Sequence, residues 1–299
     1  MRTLLRIPSL PLPPRQDTIH VDYMLSTHII PAVLPRLVPD IPIPKVPTYI
    51  NLIPASERWK QATTVIRELI ERQMCFAQGK LTGDCSQKPL WNCVNRYVRV
   101  HRCDALGTGL TLFLVPATGF PKEVSITSHF PCMLVTGILD MGAYEAVNHG
   151  DSALVNAGSL SGIFDWHDGA RDIANFLLNY LPEESTPVPL PTCLARVPEA
   201  TSNTRKELGY HCRRLVVAGH SFGGTSLTLA ALNFPKLFSS HPWQQFLGLP
   251  TVFRYIYCVR NNVPNRCHHQ GEVPANSSNG REAPSLPLMA KINVVGKVS

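Results

Sequence analysis

One strand–turn–helix unit constrains the fold of this chain more than any other stretch. Residues Arg214–Gly224 read RLVVAGHSFGG, which is a short apolar run, a Gly-x-Ser-x-Gly turn and the start of an apolar helix. Leu215–Ala218 is typical of a buried strand, and Thr225–Phe234 predicts a helix that Pro235 stops. A strand that passes at once into a helix is a building unit of α/β proteins, so we expect that fold class.

The glycines of this turn predict an exposed serine. A strand that turns directly into a helix leaves no room for side chains inside the bend, so Gly219 and Gly223 should lie where backbone passes close to backbone. Ser221 is then forced outward, beside the partial positive charge of a helix N-terminus. This is the geometry of a nucleophile elbow, formed by Gly219, His220, Ser221, Gly223 and Gly224. The alternative is a glycine-rich connection with an incidental serine.

Composition argues against several classes of function. With 299 residues, 44% of them hydrophobic, the chain can bury one large core. The net charge is +7, but charged residues make up only 16% and the basic ones are scattered, so we expect no nucleic-acid partner. Nine cysteines without a Cys-x-x-Cys pair favour reduced thiols in an intracellular, cytoplasmic location. No apolar run reaches the roughly 18–20 residues of a membrane span, so we expect a soluble protein without a transmembrane segment.

The distribution of proline divides the chain into three parts. Residues 1–55 contain eleven prolines and predict an extended arm laid over the surface of a core. The core is expected to span residues 56–260, with 183–211 as an irregular insertion on the rim of the sheet. Residues 261–299, rich in Asn, Ser, Pro and Gly, predict a disordered tail.

Two helices are predicted from the spacing of their apolar residues. Ser56–Met74 has an apolar stripe that we expect to pack on the core, with Ser56 as its N-cap. The stripe consists of Trp59, Ala62, Ile66, Leu69, Ile70 and Gln73/Met74. The second helix has Asp165 or Asp168 as its N-cap and is ended by Pro182. Capping and helix-dipole roles explain these acids better than a metal site, and we expect no metal and no cofactor.

Five separated motifs add up to a resemblance. In chain order they are Trp91–Val98, Gly119–Glu123, Ala146–Ser152, Asp165–Asp172, and Gly219–Gly224 with Asn233–Phe238. Together they resemble the fungal AB hydrolase family, which includes α/β-hydrolases from toxin-biosynthesis clusters, over about residues 90–240. The resemblance implies an α/β-hydrolase fold with a doubly wound, mostly parallel sheet, Ser221 as nucleophile, and an ester-like or thioester-like small molecule as substrate.

Three backbone N–H groups are candidates for the two donors of an oxyanion hole. In α/β-hydrolases the loop after the third strand donates one, and the residue after the nucleophile donates the other. Leu110–Val115 predicts that strand, so Gly119 and Phe120 are the candidates in the loop and Phe222 is the candidate in the elbow. Where relatives commonly have His-Ala-Asn-Gly-Phe, this chain has Pro116–Phe120, which lacks the histidine that braces the loop. An ordinary Gly-Pro loop is the alternative.

The acid and the base of a catalytic triad are not recognisable. A serine hydroxyl needs a histidine to accept its proton and a carboxylate to orient that histidine, and in this fold the acid and then the histidine follow the serine. After Ser221 the sequence contains no aspartate. Its acids there are Glu272 and Glu282, and His268 and His269 precede both. The fold is therefore expected to be C-terminally incomplete.

Three interpretations stay open. The chain is a truncated or mis-spliced form of an esterase-like serine hydrolase with weak activity. It is an inactive α/β-hydrolase-fold protein that binds a small molecule or a partner. Or His268 or His269 folds back and forms a dyad with Ser221. His149 precedes the serine, so it is expected to orient a turn and not to act in catalysis.

Overall fold

Six strands form one sheet, and six helices lie among the described residues. The strands are β1 (Tyr23–Pro31), β2 (Trp91–Arg99), β3 (Leu110–Val115), β4 (Ile138–Tyr144), β5 (Arg214–His220) and β6 (Arg254–Val259). The helices are α1 (Ala55–Ala77), α2 (Gly150–Val155), α3 (Trp166–Asn179), α4 (Glu199–Leu208), α5 (Phe222–Asn233) and α6 (Pro235–Phe238). The computed structural model describes residues 7–11, 22–45, 53–81, 87–100, 110–123, 138–183, 185, 187–210 and 214–238, and the backbone of 254–259.

The strands follow the order β1-β2-β4-β3-β5-β6. Strand β3 pairs parallel with β4 and with β5, whereas the β1–β2, β2–β4 and β5–β6 pairs are antiparallel. The sheet is therefore mixed, and the expectation of a mostly parallel, doubly wound sheet holds only for its three central strands. Strands β1 and β2 extend one end of the sheet and β6 extends the other, all in antiparallel pairs. Antiparallel neighbours need no crossover helix between them.

The largest group of buried apolar side chains joins the central strands to α3 and α5. Its members include Phe113 of β3, Leu215 and Val217 of β5, Ile173 and Leu177 of α3, and Leu227 of α5. Burying a side chain of this kind contributes roughly 1.5–3 kcal/mol. The strand and the helix on either side of the predicted elbow are thus both anchored in the core.

The predicted N-terminal arm contains an edge strand of the sheet. Strand β1 lies within residues 1–55 and pairs with β2 along its whole length, from Tyr23 opposite Arg99 to Pro31 opposite Trp91. Ile29 and Ile30 are fully buried. This part of the arm therefore belongs to the core sheet, because the four consecutive residues 27–30 of β1 are buried, on both faces of the strand.

The predicted insertion, residues 183–211, contacts the outer side of β1. The backbone N–H of Ile29 donates to Thr192 O at 2.7 Å, and the N–H of Leu194 donates to Ile29 O at 3.2 Å. The insertion also contains α4, where the buried Arg205 donates to Leu177 O at 3.0 Å. A guanidinium at this position satisfies a carbonyl in the last turn of α3, which has no partner within its own helix.

Helix α1 is found where the sequence predicts it, but its apolar stripe does not pack on the core. The helix runs from Ala55 to Ala77 and has no buried residue. Pro54, not Ser56, is its N-cap, and no side chain caps the first turn. The expected packing role is thus wrong, since the side chains of the stripe are exposed. Neither α1 nor any other helix of the described residues is long and apolar enough to cross a bilayer.

The acids at the start of α3 have two different roles. Asp165 is the N-cap, as predicted, and accepts from the N–H of His167 at 2.8 Å. Asp168 and Asp172 are instead buried against Arg36, whose Nη1 lies 2.7 Å from Asp172 Oδ1 and whose Nε lies 3.4 Å from Asp168 Oδ2. Capping does not account for these two carboxylates, because both bind the guanidinium of Arg36, which is distant in the sequence.

Candidate active site

Ser221 occupies the sharp turn between β5 and α5. Its φ is +51° and its ψ is −115°, and it is the one non-glycine residue with positive φ in the described parts of the chain. A side chain in this region costs of order 1–3 kcal/mol, so it persists only where the surroundings impose it. The side chain is exposed, and no described residue shares a hydrogen bond with its hydroxyl. The turn therefore holds a strained serine at the surface.

Two glycines allow this turn to be so tight. A β carbon on Gly219 would lie 2.6 Å from the backbone of Gly223 and Gly224, across the bend. A β carbon on Gly223 would lie 2.2 Å from the carbonyl oxygen of Val115, the last residue of β3. Real β carbons do not approach backbone atoms this closely, so both positions require glycine. The contact also shows that the loop after β3 begins directly beneath the elbow.

Phe222 begins α5 and is held by a cluster of rings. Its ring is stacked on His149, with centroids 5.6 Å apart and planes 12° apart. Trp166 meets the same ring edge-on at 5.8 Å, and Phe164 packs at 5.8 Å. Such aromatic pairs add about 0.5–1.5 kcal/mol beyond the burial of area. Since Phe222 is the first helical residue, its backbone N–H has no partner within the helix, and the cluster fixes where that N–H lies.

The loop after β3 lies beside the elbow and offers one N–H group. The Phe120 ring is 6.0 Å from the ring of His220, which places the loop next to the turn. Phe120 N–H donates to Ala117 O at 3.2 Å, so it is engaged inside the loop. Gly119 has a φ of +79°, a β carbon there would meet nothing within 4 Å, and its N–H donates to no described residue. Of the two loop candidates, Gly119 is therefore the one whose N–H the loop itself does not use.

A buried charge cluster that the sequence analysis missed anchors the far end of this loop. The ammonium of Lys122 lies 2.6 Å from Asp151 Oδ2, 3.3 Å from Glu145 Oε2 and 3.3 Å from Glu123 Oε1. Glu145 also accepts from the N–H of Ser152 at 3.2 Å. The cluster joins the loop to the end of β4 and the start of α2. The adjacent Lys122 and Glu123 were the only local signal for it, because Glu145 and Asp151 are 23 and 29 residues away from Lys122.

Burial and charge act in opposite directions on the ionisable groups of this cluster. Burial disfavours the ammonium of Lys122, but Glu145 and the other carboxylates outweigh it and raise the pKa of Lys122. Burial raises the pKa of Glu145, and Lys122 opposes that shift. The charged ammonium of Lys122 offsets one of the three carboxylate charges around it, and its bonds tie the loop to β4 and α2 as a structural anchor.

The imidazole of His149 packs in the ring cluster and makes no hydrogen bond to Ser221. Its Nδ1 is 2.8 Å from Asn148 Oδ1, and burial lowers the pKa of its imidazole. Its other contact is the stacked ring of Phe222. These contacts orient the turn before α2, which is the kind of role expected from its place in the sequence.

Several predicted site residues lie outside the described residues. The candidate bases His268 and His269 are among them, as are Glu272 and Glu282. Among the described residues no cluster of His, Cys, Asp and Glu could hold a metal ion. A cavity near the ring cluster is lined in part by Asn148, Leu160 and Phe164, and its wall does not include Ser221.

No protein-family model and no curated protein sequence matches this chain. Among solved structures, the peroxisomal α/β-hydrolase Lpx1 from Saccharomyces cerevisiae is similar to it, with 22% sequence identity and a TM-score of 0.42. The match covers 73% of this chain and 43% of the yeast chain, which is less than half of that protein.

Proposed function

We propose that this chain is an esterase-like serine hydrolase of the α/β-hydrolase fold, in which Ser221 attacks the carbonyl of an ester-like or thioester-like small molecule. The observation that carries the proposal is the conformation of Ser221. A serine with φ of +51°, exposed at a strand-to-helix turn between two obligatory glycines, has the geometry of a nucleophile elbow. Strain of this kind at an exposed polar side chain is characteristic of functional sites.

The oxyanion in this proposal is held by two backbone N–H groups. Phe222 donates from the first position of α5, where the helix dipole adds favourable charge. Gly119 donates from the loop after β3, which the contact between Gly223 and Val115 holds beneath the elbow. One such donor contributes about 3 kcal/mol to stabilising the transition state. A site with both donors and a poorly activated serine would therefore retain weak turnover.

The proposed reaction also needs a general base. The proton of Ser221 needs an acceptor, and the histidines that follow it in the chain are His241, His268 and His269. The carboxylates that follow are Glu272 and Glu282.

We place the chain with the fungal AB hydrolases on its motifs over residues 90–240, and we propose an intracellular location and no metal or organic cofactor.

Labelling with a fluorophosphonate tests this function. Wild type should be labelled with a stoichiometry near one, and Ser221→Ala should not be labelled. Ser56→Ala is the matched control, because Ser56 is an exposed serine on α1, and it should be labelled like wild type. Hydrolysis of p-nitrophenyl butyrate and of a short acyl thioester should be lost in Ser221→Ala and kept in Ser56→Ala. Labelling that persists in Ser221→Ala would assign the reaction to another residue.

The second candidate is a catalytically inactive binding protein of the same fold. It is favoured by one observation: no histidine among the described residues is hydrogen-bonded to Ser221. A folded wild-type protein that is not labelled at all would support this candidate. The cavity near Asn148 and Phe164 would then be the place to look for a bound small molecule.

A further inference from the structure

Helix α1 presents an apolar stripe to the solvent. Five large apolar side chains on one side of the helix are between 38% and 72% exposed, namely Trp59, Ile66, Leu69, Ile70 and Met74. An amphipathic helix on the surface of a globular protein ordinarily turns this stripe inward. Contiguous exposed apolar surface of this kind marks a site of contact with another molecule.

The attachment of α1 to the rest of the chain does not use this stripe. Phe76, near the helix C-terminus, packs against a small apolar cluster that contains Val38, Ile41 and Ile163. Arg72 hydrogen-bonds to Pro42 O and to Glu68. These contacts lie on a different side of the helix from the stripe. Changes to the stripe should therefore leave the fold and the position of α1 intact.

The charges of α1 are sorted around the stripe. At 100° per residue, Lys60 and Arg67 follow one border of the stripe and Arg58 follows the other. Of the acids, Glu57 and Glu68 lie on the opposite side, and Glu71 lies beside Lys60, just outside the border. Lys60 and Arg67 are exposed. The surface that complements this arrangement is apolar in its interior and negatively charged at its boundary.

We propose that α1 docks on the surface of an anionic lipid bilayer, with its axis parallel to the membrane and the stripe inserted below the headgroups. Trp59, Ile66 and Ile70 would enter the acyl boundary, and the ammonium of Lys60 and the guanidinium of Arg67 would reach the anionic headgroups. A helix of 23 residues is about 35 Å long, so the whole stripe can lie on a flat surface. This binding does not depend on the proposed hydrolase activity.

A second copy of the chain fits the stripe less well. In a two-fold pairing each patch meets its own equivalent. With the helices crossing near Ile66, Arg67 of one copy would face Arg67 of the other, and Glu71 is the one acid near a border that also carries Lys60 and Arg67. Like charges held together at an interface are unfavourable. The anionic bilayer is therefore the occupant that the charges favour.

Co-sedimentation of the full chain with lipid vesicles tests the proposal. Wild type should bind vesicles of phosphatidylcholine with 30% phosphatidylserine and bind pure phosphatidylcholine vesicles much more weakly. Ile66→Ser/Ile70→Ser should lower the partition coefficient about tenfold or more. Lys60→Gln/Arg67→Gln should lower binding to the anionic vesicles by about fivefold per residue, since each basic residue near an anionic surface contributes about 1 kcal/mol. The matched control is Leu208→Ser/Leu232→Ser, which removes two apolar side chains that are 74% and 70% exposed outside α1 and should bind like wild type.

A second measurement does not depend on the stability of the serine variants. Brominated lipids should quench tryptophan emission of the wild type, and most of that quenching should be lost in Trp59→Phe. The proposal is overturned if wild type binds neither vesicle, or if Ile66→Ser/Ile70→Ser and the control bind equally. It is also overturned if wild type is a dimer in light scattering that the same serine substitutions convert to a monomer, because α1 would then be a protein interface.

Discussion

Gly223 and Val115 are in such close contact that a single methyl group would separate them. A β carbon on Gly223 would lie 2.2 Å from Val115 O and 2.7 Å from Pro116 O. This contact joins the start of α5 to the end of β3, and so it joins the elbow to the loop that carries Gly119. The two halves of the proposed oxyanion hole therefore share one packing constraint.

Gly223→Ala should separate these two segments. We expect it to lower the free energy of unfolding by about 1–3 kcal/mol, because the added methyl group has no space and the neighbour is backbone. It should also reduce fluorophosphonate labelling of Ser221. Urea unfolding of wild type and variant measures the first effect. Gly158→Ala is the control for the labelling rate, because nothing lies within 4 Å of the new methyl group. The φ of Gly158 is +79°, so this substitution strains the backbone without pushing two segments apart. If the two variants label equally fast, the contact does not position the elbow.

Replacing Ser221 by glycine should release the strain of the turn. The positive φ costs a side chain of order 1–3 kcal/mol, while glycine costs about 0.5–1 kcal/mol in unfolded-state entropy. Ser221→Gly should therefore be more stable than Ser221→Ala by about 1 kcal/mol. Both variants should lose labelling, which separates the effect on stability from the effect on the nucleophile. Equal stability of the two variants in chemical denaturation would show that the turn is relaxed.

Lys122→Met should be strongly destabilising. Removing the ammonium leaves Glu145 buried without its cation, and breaking a buried ion pair in this way costs about 3–5 kcal/mol. Thermal and urea unfolding measure the loss. Lys88→Met is the matched control, because Lys88 is half-exposed and its nitrogen is 3.8 Å from Asp40 Oδ2. A pair of this kind contributes roughly 0–1 kcal/mol, so a comparable loss in both variants would contradict the anchoring role of Lys122.

His149 should contribute to the dependence of stability on pH. Burial lowers the pKa of His149 in the folded chain, whereas the unfolded chain has the ordinary value near 6.5. The unfolded state therefore binds more protons as the pH falls below 6.5, and the stability from this group is lost on acidification. His149→Phe keeps a ring on Phe222 and removes the titration. Between pH 7.5 and 5 its free energy of unfolding should fall less steeply than that of wild type, and parallel curves would exclude the contribution.

Local signals in the sequence predict the elements around the elbow well. The apolar run before Gly219 and the helix ended by Pro235 correspond to β5 and α5, and Asp165 caps α3 as expected. In each case the deciding interactions lie within a few residues. A glycine needed for close approach and an acid that caps a helix are both visible in the sequence next to the element that they shape.

Contacts between distant residues could not be predicted in the same way. Arg36 and Asp172 are 136 residues apart, and nothing near Asp172 distinguishes a partner of a buried arginine from a helix-dipole residue. The stripe of α1 shows a related difficulty. The spacing of Trp59, Ile66 and Ile70 predicts a helix with one apolar face, but the spacing contains no information on what that face contacts.

The segment Thr192–Leu194 has a consequence for how the chain behaves at high concentration. An edge strand presents unpaired N–H and C=O groups, and another chain can pair with them and begin an aggregate. At Ile29 of β1 both outward-facing groups are already bound by this segment. The edge is thereby closed to strand addition at Ile29, near the C-terminal end of β1. A cut or deletion within residues 187–198 should convert a protected sheet edge into a nucleus for cross-β assembly.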